Sequence, residues 1–185
     1  KAGANLSLRE LLDIGLVLNQ IRILTDWYKQ CSNIETSIGY LFISLKPNKY
    51  LEEKIFNSIL SDEEIDDSAS TELTLIRRKI VQAGAKIRDN LDKMVKSSTI
   101  QKCLQEAIVT MRDGRYVLPV KSEHKNSVQG LVHDISSSGA TLFIEPISIV
   151  EANNDIRVLK GREQDEIERI IAEISSECSS CSDSI

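Results

Sequence analysis

The chain has 185 residues, 41% of them hydrophobic, 28% charged and 4% aromatic, with a formal net charge of −5. That length allows one domain or two small ones, each able to bury a core. So few aromatics argue against a stacking platform for single-stranded nucleic acid, and the acidic balance argues against a uniformly basic binder. No apolar run approaches the roughly 20 residues of a membrane span, and the start has no signal-peptide pattern. With Lys1 in place of Met, a chain taken from within a longer or processed protein is expected.

Residue spacing predicts a first helix over 8–29, opened by Ser7 with Glu10 as a capping box. Leu8, Leu11, Leu12, Gly15, Leu18, Ile21, Ile23 and Leu24 give it a broad apolar face. Helices over 33–45 and 48–60 follow, parted by Pro47-Asn48. Their core candidates are Ile38, Leu41, Phe42, Leu45, Leu51, Ile55, Phe56 and Ile59. The acidic run 61–67 reads as a loop or a solvated helix start. A long helix is predicted over 71–96, capped by Ser70. Leu73, Ile76, Ile80, Ala83, Ile87, Leu91 and Met94 recur in it at spacings of three and four, the repeat of a coiled-coil seam.

Strands come next, over 107–112, 115–121, 128–134 and 140–145. Asp113-Gly114 is a strong two-residue hairpin signal, because both central positions need positive φ. Further turns fall at Glu123–Ser127 and Ser136–Gly139, so the simplest sheet is a four-stranded antiparallel meander. Pro146 ends the last strand and can open a helix over 147–176. Ile149, Asn153, Ile156, Leu159, Glu163, Ile167, Ile170 and Ile174 repeat the three-and-four spacing there, with Gly161, Asn153 and Glu163 as weak points. The fold class expected is α+β, mainly helical. Residues 1–69 form a helical core piece, 70–106 and 147–177 a pair of long antiparallel lever helices, 107–146 a β-rich clamp at their tip, and 178–185 a flexible tail.

Cys178 and Cys181 make a CxxC in this serine-rich tail, without a second pair or a nearby His, so free cytosolic thiols are expected. His133-Asp134 lies near Ser136, Ser137 and Ser138, but neighbours on a strand point to opposite faces and no GxSxG elbow is present. No catalytic residue is therefore assigned.

The blocks IDDSASTEL (65–73), MRDGRYVLPVKSE (111–123), GLVHDISSSGATLFIEP (130–146) and EANNDIRVLKGREQDEIERI (151–170) resemble the second bacterial class of MutS proteins, MutS-two. The opening GANLSLRELLDIGLVL (3–18) is similar to that family's early helical core. The resemblance implies levers and a clamp that helps a dimer enclose DNA, whether branched, mismatched or duplex, or a ribosomal surface and its RNA. It also implies, in the intact protein, an ATPase using ATP and Mg, usually a nuclease domain, and links to mismatch repair, recombination suppression and ribosome rescue. No GxxxxGK[ST] phosphate loop occurs among the eight glycines, so no cofactor is expected on this stretch. A cytoplasmic bacterial setting, a second copy of the intact protein as partner and no membrane are expected.

Candidate nucleic-acid contacts are Arg112, Arg115, Lys121, His124, Lys125 and Asn126, with Ser136, Ser137 and Ser138 at the next turn. Cations supply phosphate affinity, while hydroxyls and N–H groups set register. For Lys121, His124, Lys125 and Asn126 a solvated turn ranks ahead of such contact, and Arg112 and Arg115 can instead pair with acids across the strands. Arg77, Arg78, Lys79, Lys86, Arg88, Lys93, Lys96 and Lys102 form a basic run on or just beyond the first long helix. Its favoured role is to flank the helix pair opposite Glu163, Asp165, Glu166, Glu168 and Glu173; a phosphate-facing stripe is the alternative. The runner-up for the whole chain is a protein-interaction or dimerisation scaffold with no nucleic-acid binding.

Overall fold

A computed structural model describes residues 5–31 and 36–181. The chain forms two units, Lys1–Leu75 with Glu163–Ile185, and Ile76–Arg162.

In the first unit, helix α1 spans Leu8–Gln30. Ser7 Oγ accepts the Glu10 N–H at 3.3 Å, and the Glu10 carboxylate accepts the Ser7 N–H at 2.8 Å, completing the capping box. Helix α2 covers Gly39–Ser44 and α3 covers Lys49–Ser58, the latter capped by Asn48. The predicted second helix is thus much shorter; its positions 33–35 lie outside the described residues. Leu11 and Leu18 of α1 pack with Leu51 and Ile55 of α3, and with Ile59, Ile65 and Leu73. Ile170, Ile174 and Cys178 complete this core from helix α6, which spans Ile147–Ser180.

Two expectations fail in this unit. Residues 178–180 are not a frayed tail: Cys178 is buried, and Ser175 Oγ accepts the Leu6 N–H at 3.0 Å. Cys178 continues the four-residue stripe of Ile170 and Ile174, so packing outweighs serine-rich composition. Residues 182–185 lie outside the described residues. Ile23, Leu24, Ile38 and Leu41 are exposed rather than core, because no described element covers that face of α1 and α2.

Polar ties close the unit. Arg22 Nε lies 2.8 Å from Glu52, which also accepts from Asn19. Lys54 bridges Glu173 and Glu177 at 2.5 and 2.6 Å. Burial works against its ammonium, but the two carboxylates more than offset it and hold the pKa above the ordinary lysine range.

The second unit contains most of α4 (Thr71–Val95), a short helix α5 (Ser98–Cys103), the sheet and the start of α6. The short α5 escaped the sequence reading, because six residues after a Ser-Ser pair show too little periodicity. Strands β1 (Thr110–Arg112), β2 (Arg115–Lys121), β3 (Gly130–Ile135) and β4 (Thr141–Pro146) are all antiparallel, as expected. Their order is β1-β2-β4-β3, which corrects the meander. A 3₁₀ segment, Ser122–Ser127, makes the β2–β3 connection too long for a tight hairpin, and β4 takes the place beside β2. The two hairpins that do form are β1–β2 through Asp113 (φ 49°) and Gly114 (φ 75°), and β3–β4 through the serine turn.

Alternation along β2 and β4 puts Leu118, Val120, Leu142 and Ile144 into one core with Ile87, Leu91 and Val95 of α4 and Ile149 and Ile156 of α6. Ala83 of α4 and Ala152 of α6 pack against this core, and a cleft of about 480 Å³ is lined by both together with Lys79, Lys86, Asp155 and Arg162.

Candidate nucleic-acid interface

Arg112 and Arg115 leave the Asp113–Gly114 turn in different directions. Arg112 lies 3.9 Å over the Phe143 ring and 3.2 Å from Asp134 on β3. Arg115 donates to both oxygens of Glu145, at 2.8 and 3.1 Å, and to Asn154 Oδ1 at 2.6 Å. Both cations therefore serve the fold, as acid partners across the strands.

Glu145 is fully buried, yet both of its carboxylate oxygens have partners. Besides Arg115, it meets His133 Nε2 at 2.5 Å and accepts from Asn153 Nδ2 at 2.6 Å. A β-bulge at His133 slips β3 between Val132 and Asp134 and aims the imidazole at this carboxylate. Asn153 also accepts the Tyr116 N–H at 3.2 Å and donates to the Tyr116 carbonyl at 3.1 Å. Asn153 thus fastens α6 to β2, where its polarity had suggested a weak point in a helix pair. Neither Glu145 nor this use of Asn153 is visible in a local pattern.

Lys121 donates to the Lys102 carbonyl at 3.3 Å, at the end of α5. His124, Lys125 and Asn126 sit on the 3₁₀ segment, with Lys125 and Asn126 exposed beside a hollow of about 230 Å³. Ser136 is partly structural: its Oγ accepts the Thr141 N–H at 3.0 Å and its carbonyl accepts the Gly139 N–H at 2.8 Å. Ser137 and Ser138 are exposed on the same turn. Ser122 N–H donates to the Ala140 carbonyl at 3.0 Å, so this turn lies beside the start of the 3₁₀ segment. The serine turn therefore lies beside Lys121 and Ser122, whereas Lys125 and Asn126 border a hollow with Gly130 and Val132 of β3, and Arg112 and Arg115 lie at the end of β2 away from Lys121.

Three of the acids expected to flank the basic helix, Glu166, Glu168 and Glu173, have other partners. Glu166 is held by Arg169 and Ser70, which bring its pKa down to about 2 against the cost of burial. Glu173 binds Lys54 and Arg169, and Glu168 accepts from Gln164. Among the described residues, Lys79, Lys86 and Arg88 of α4, and Arg157, Lys160 and Arg162 of α6, carry no salt bridge. Charge follows the division into units. Ile76–Arg162 holds 15 Lys and Arg against 9 Asp and Glu, a net of +6. The remaining residues hold 8 against 19, a net of −11.

Among the described residues no group of His, Cys, Asp and Glu could hold a metal ion, and no helix is long and apolar enough to cross a membrane. The four cysteines are free thiols, and burial, Cys181 and Glu177 push the Cys178 thiol up, away from a reactive thiolate.

No protein-family model matches the chain. Among individual proteins, it is 48% identical over 179 residues to the endonuclease MutS2 of Ruminiclostridium cellulolyticum, covering 96% of this chain and 23% of that protein. It is 46% identical over 187 residues to that of Acetivibrio thermocellus, covering 99% and 24%. To that of Clostridioides difficile it is 53% identical over 133 residues, covering 72% and 17%. The chain thus spans about a quarter of the length of the first two, and as a stretch of such a sequence it belongs to the MutS2 family.

Proposed function

We propose that this stretch is the lever and clamp region of a MutS2-type protein, and that its basic unit grips the backbone of a nucleic acid. The observation that carries the reading is the separation of charge. A chain of net charge −5 concentrates +6 on the unit that bears the sheet, with at least six of its cations in no salt bridge among the described residues. Unpaired cations are what counterion release at phosphates requires. In the intact protein, an ATPase domain using ATP and Mg would move this clamp, and a second copy would supply its counterpart around DNA or ribosomal RNA in the bacterial cytoplasm. The relatives are named endonucleases; in our reading the present residues bind and transmit, and cleavage belongs elsewhere in such proteins.

The test is titration of the chain against labelled branched and linear duplex DNA at two salt concentrations. Binding is expected to weaken steeply with salt, with a log–log slope of about −0.9 per phosphate contacted. A Lys121→Glu/Lys125→Glu variant is expected to bind less tightly at both concentrations. Absence of binding by the unaltered chain at low salt would sink the reading.

One observation favours a protein-contact role for the other unit. Leu16, Val17, Ile23, Leu24, Trp27 and Ile43 are all exposed on α1 and α2. So many large apolar groups on two neighbouring helices suit an interface.

A further inference from the structure

A second cleft, of about 450 Å³, lies at the end of β2 away from Lys121. Its wall is the Asp113–Gly114 turn with Arg115, His133 of β3, and Asn153, Arg157 and Lys160 of α6. The helix spacing of 153, 157 and 160 (four, then three) puts these three side chains on one face. Asn153 at the base of that face is locked to Tyr116 and Glu145, so the rest of the face is held at a set distance from the turn. Arg115 is fixed in the same way, by Glu145 and Asn154. Arg157 and Lys160 above it are exposed and carry no salt bridge, and Lys160 Nζ stands 3.9 Å from where a Cβ on Gly114 would lie. Two cations without a salt bridge among the described residues thus overhang a concave, pre-positioned wall, and Asp113 is the acid in its lining.

We propose that this cleft takes one phosphodiester of a nucleic-acid backbone, with Arg157 and Lys160 as the direct contacts. The inference rests on the nucleic-acid reading above and assigns it a site that the loop residues do not include. A phosphodiester offers two non-bridging oxygens that share one negative charge, which an Arg fork and a neighbouring ammonium can bind together. The Arg115–Glu145–Asn153 network has no cation to spare and acts as the positioning frame. By contrast, the hollow at Lys125 and Asn126 has a single cation and about half the volume.

Amide-resolved NMR of the whole chain titrated with inorganic phosphate tests the site directly. Shifts are expected at Gly114, Arg115, Arg157 and Lys160, and are expected to vanish in an Arg157→Glu/Lys160→Glu variant whose thermal unfolding is unchanged. In duplex titrations the same variant should lower the salt slope by about 0.9, the equivalent of one phosphate. Short duplex DNA should displace inorganic phosphate from the cleft, while poly-glutamate should not. If phosphate leaves these amides unmoved, or if the variant binds duplex with the wild-type slope, the site is wrong. Phosphate binding that duplex fails to displace would mean a free phosphoryl ligand, and would also overturn the proposal. A chain that binds no duplex overturns this inference and the wider reading together; a retained slope overturns this one alone.

Discussion

Gly130 shows how one missing side chain positions a network. It faces Pro146 across the β3–β4 ladder, and a Cβ there would lie 2.2 Å from the Glu145 carbonyl oxygen. The obstacle is backbone, so Gly130→Ala must push β3 away from β4. Overpacking of this kind costs about 1–3 kcal/mol. The displaced strand also carries His133, one of the partners of the buried Glu145. A buried carboxylate is tolerable only while its hydrogen bonds are complete. Gly130→Ala is therefore expected to lower the urea midpoint and speed amide exchange along β3; an unchanged midpoint would show that β3 can shift at no cost.

Among the elements, α4 and α6 each depend on a polar end or a polar crossing. Ser70 Oγ accepts the Leu73 N–H at 3.0 Å and so caps α4, while its hydroxyl donates to Glu166 of α6 at 2.6 Å. With Arg169 on its other side, Glu166 titrates at about 2 instead of about 4.5. A carboxylate whose pKa is lower in the folded state stabilises the fold above its unfolded pKa, and that stabilisation disappears as the pH falls through the folded value. Stability is thus expected to drop between pH about 4.5 and about 2, and Glu166→Gln should flatten that part of the curve. Urea midpoints measured against pH for both proteins check this, and parallel curves would remove Glu166 as the cause. The sheet makes a related point. Its order depends on the length of the β2–β3 connection, since the 3₁₀ segment lets β4 occupy the position a meander reserves for β3.

Taken as a whole, the molecule has two separate cores. One is built on Leu11, Leu18 and Ile55, the other on Leu91, Leu118 and Ile144. Removing the fully buried Leu118 side chain costs about 2–5 kcal/mol, as for other Leu→Ala changes in cores. Leu118→Ala is expected to reduce hydrogen-exchange protection in β2, β4 and α5 while α1 and α3 keep theirs, because local stability follows local packing. Equal loss across both cores would show that the chain unfolds as one cooperative body. The two cores also separate the charge, +6 on one unit and −11 on the other, and it is that asymmetry, more than the net −5, that bears on binding.

Helix α1 with its capping box, the hairpin at Asp113-Gly114, the course of α4 and the mainly helical α+β class were all legible in the sequence. Each rests on interactions between residues a few positions apart, where periodicity and turn chemistry act. The strand order, the full extent of α6, the Glu145 cluster and the cleft beside Arg157 were not. Arg115 and Glu145 stand 30 positions apart, and Asn153 lies 37 from Tyr116, so no local pattern announces their pairing. The candidate site divides the same way. Its clamp-loop cations could be named from the chain, whereas Arg157 and Lys160 could not, and which cations are consumed by the fold depends on where distant carboxylates come to rest. Arg112 and Arg115 find theirs, whereas Lys125, Arg157 and Lys160 do not, because only packing brings the strands and α6 together.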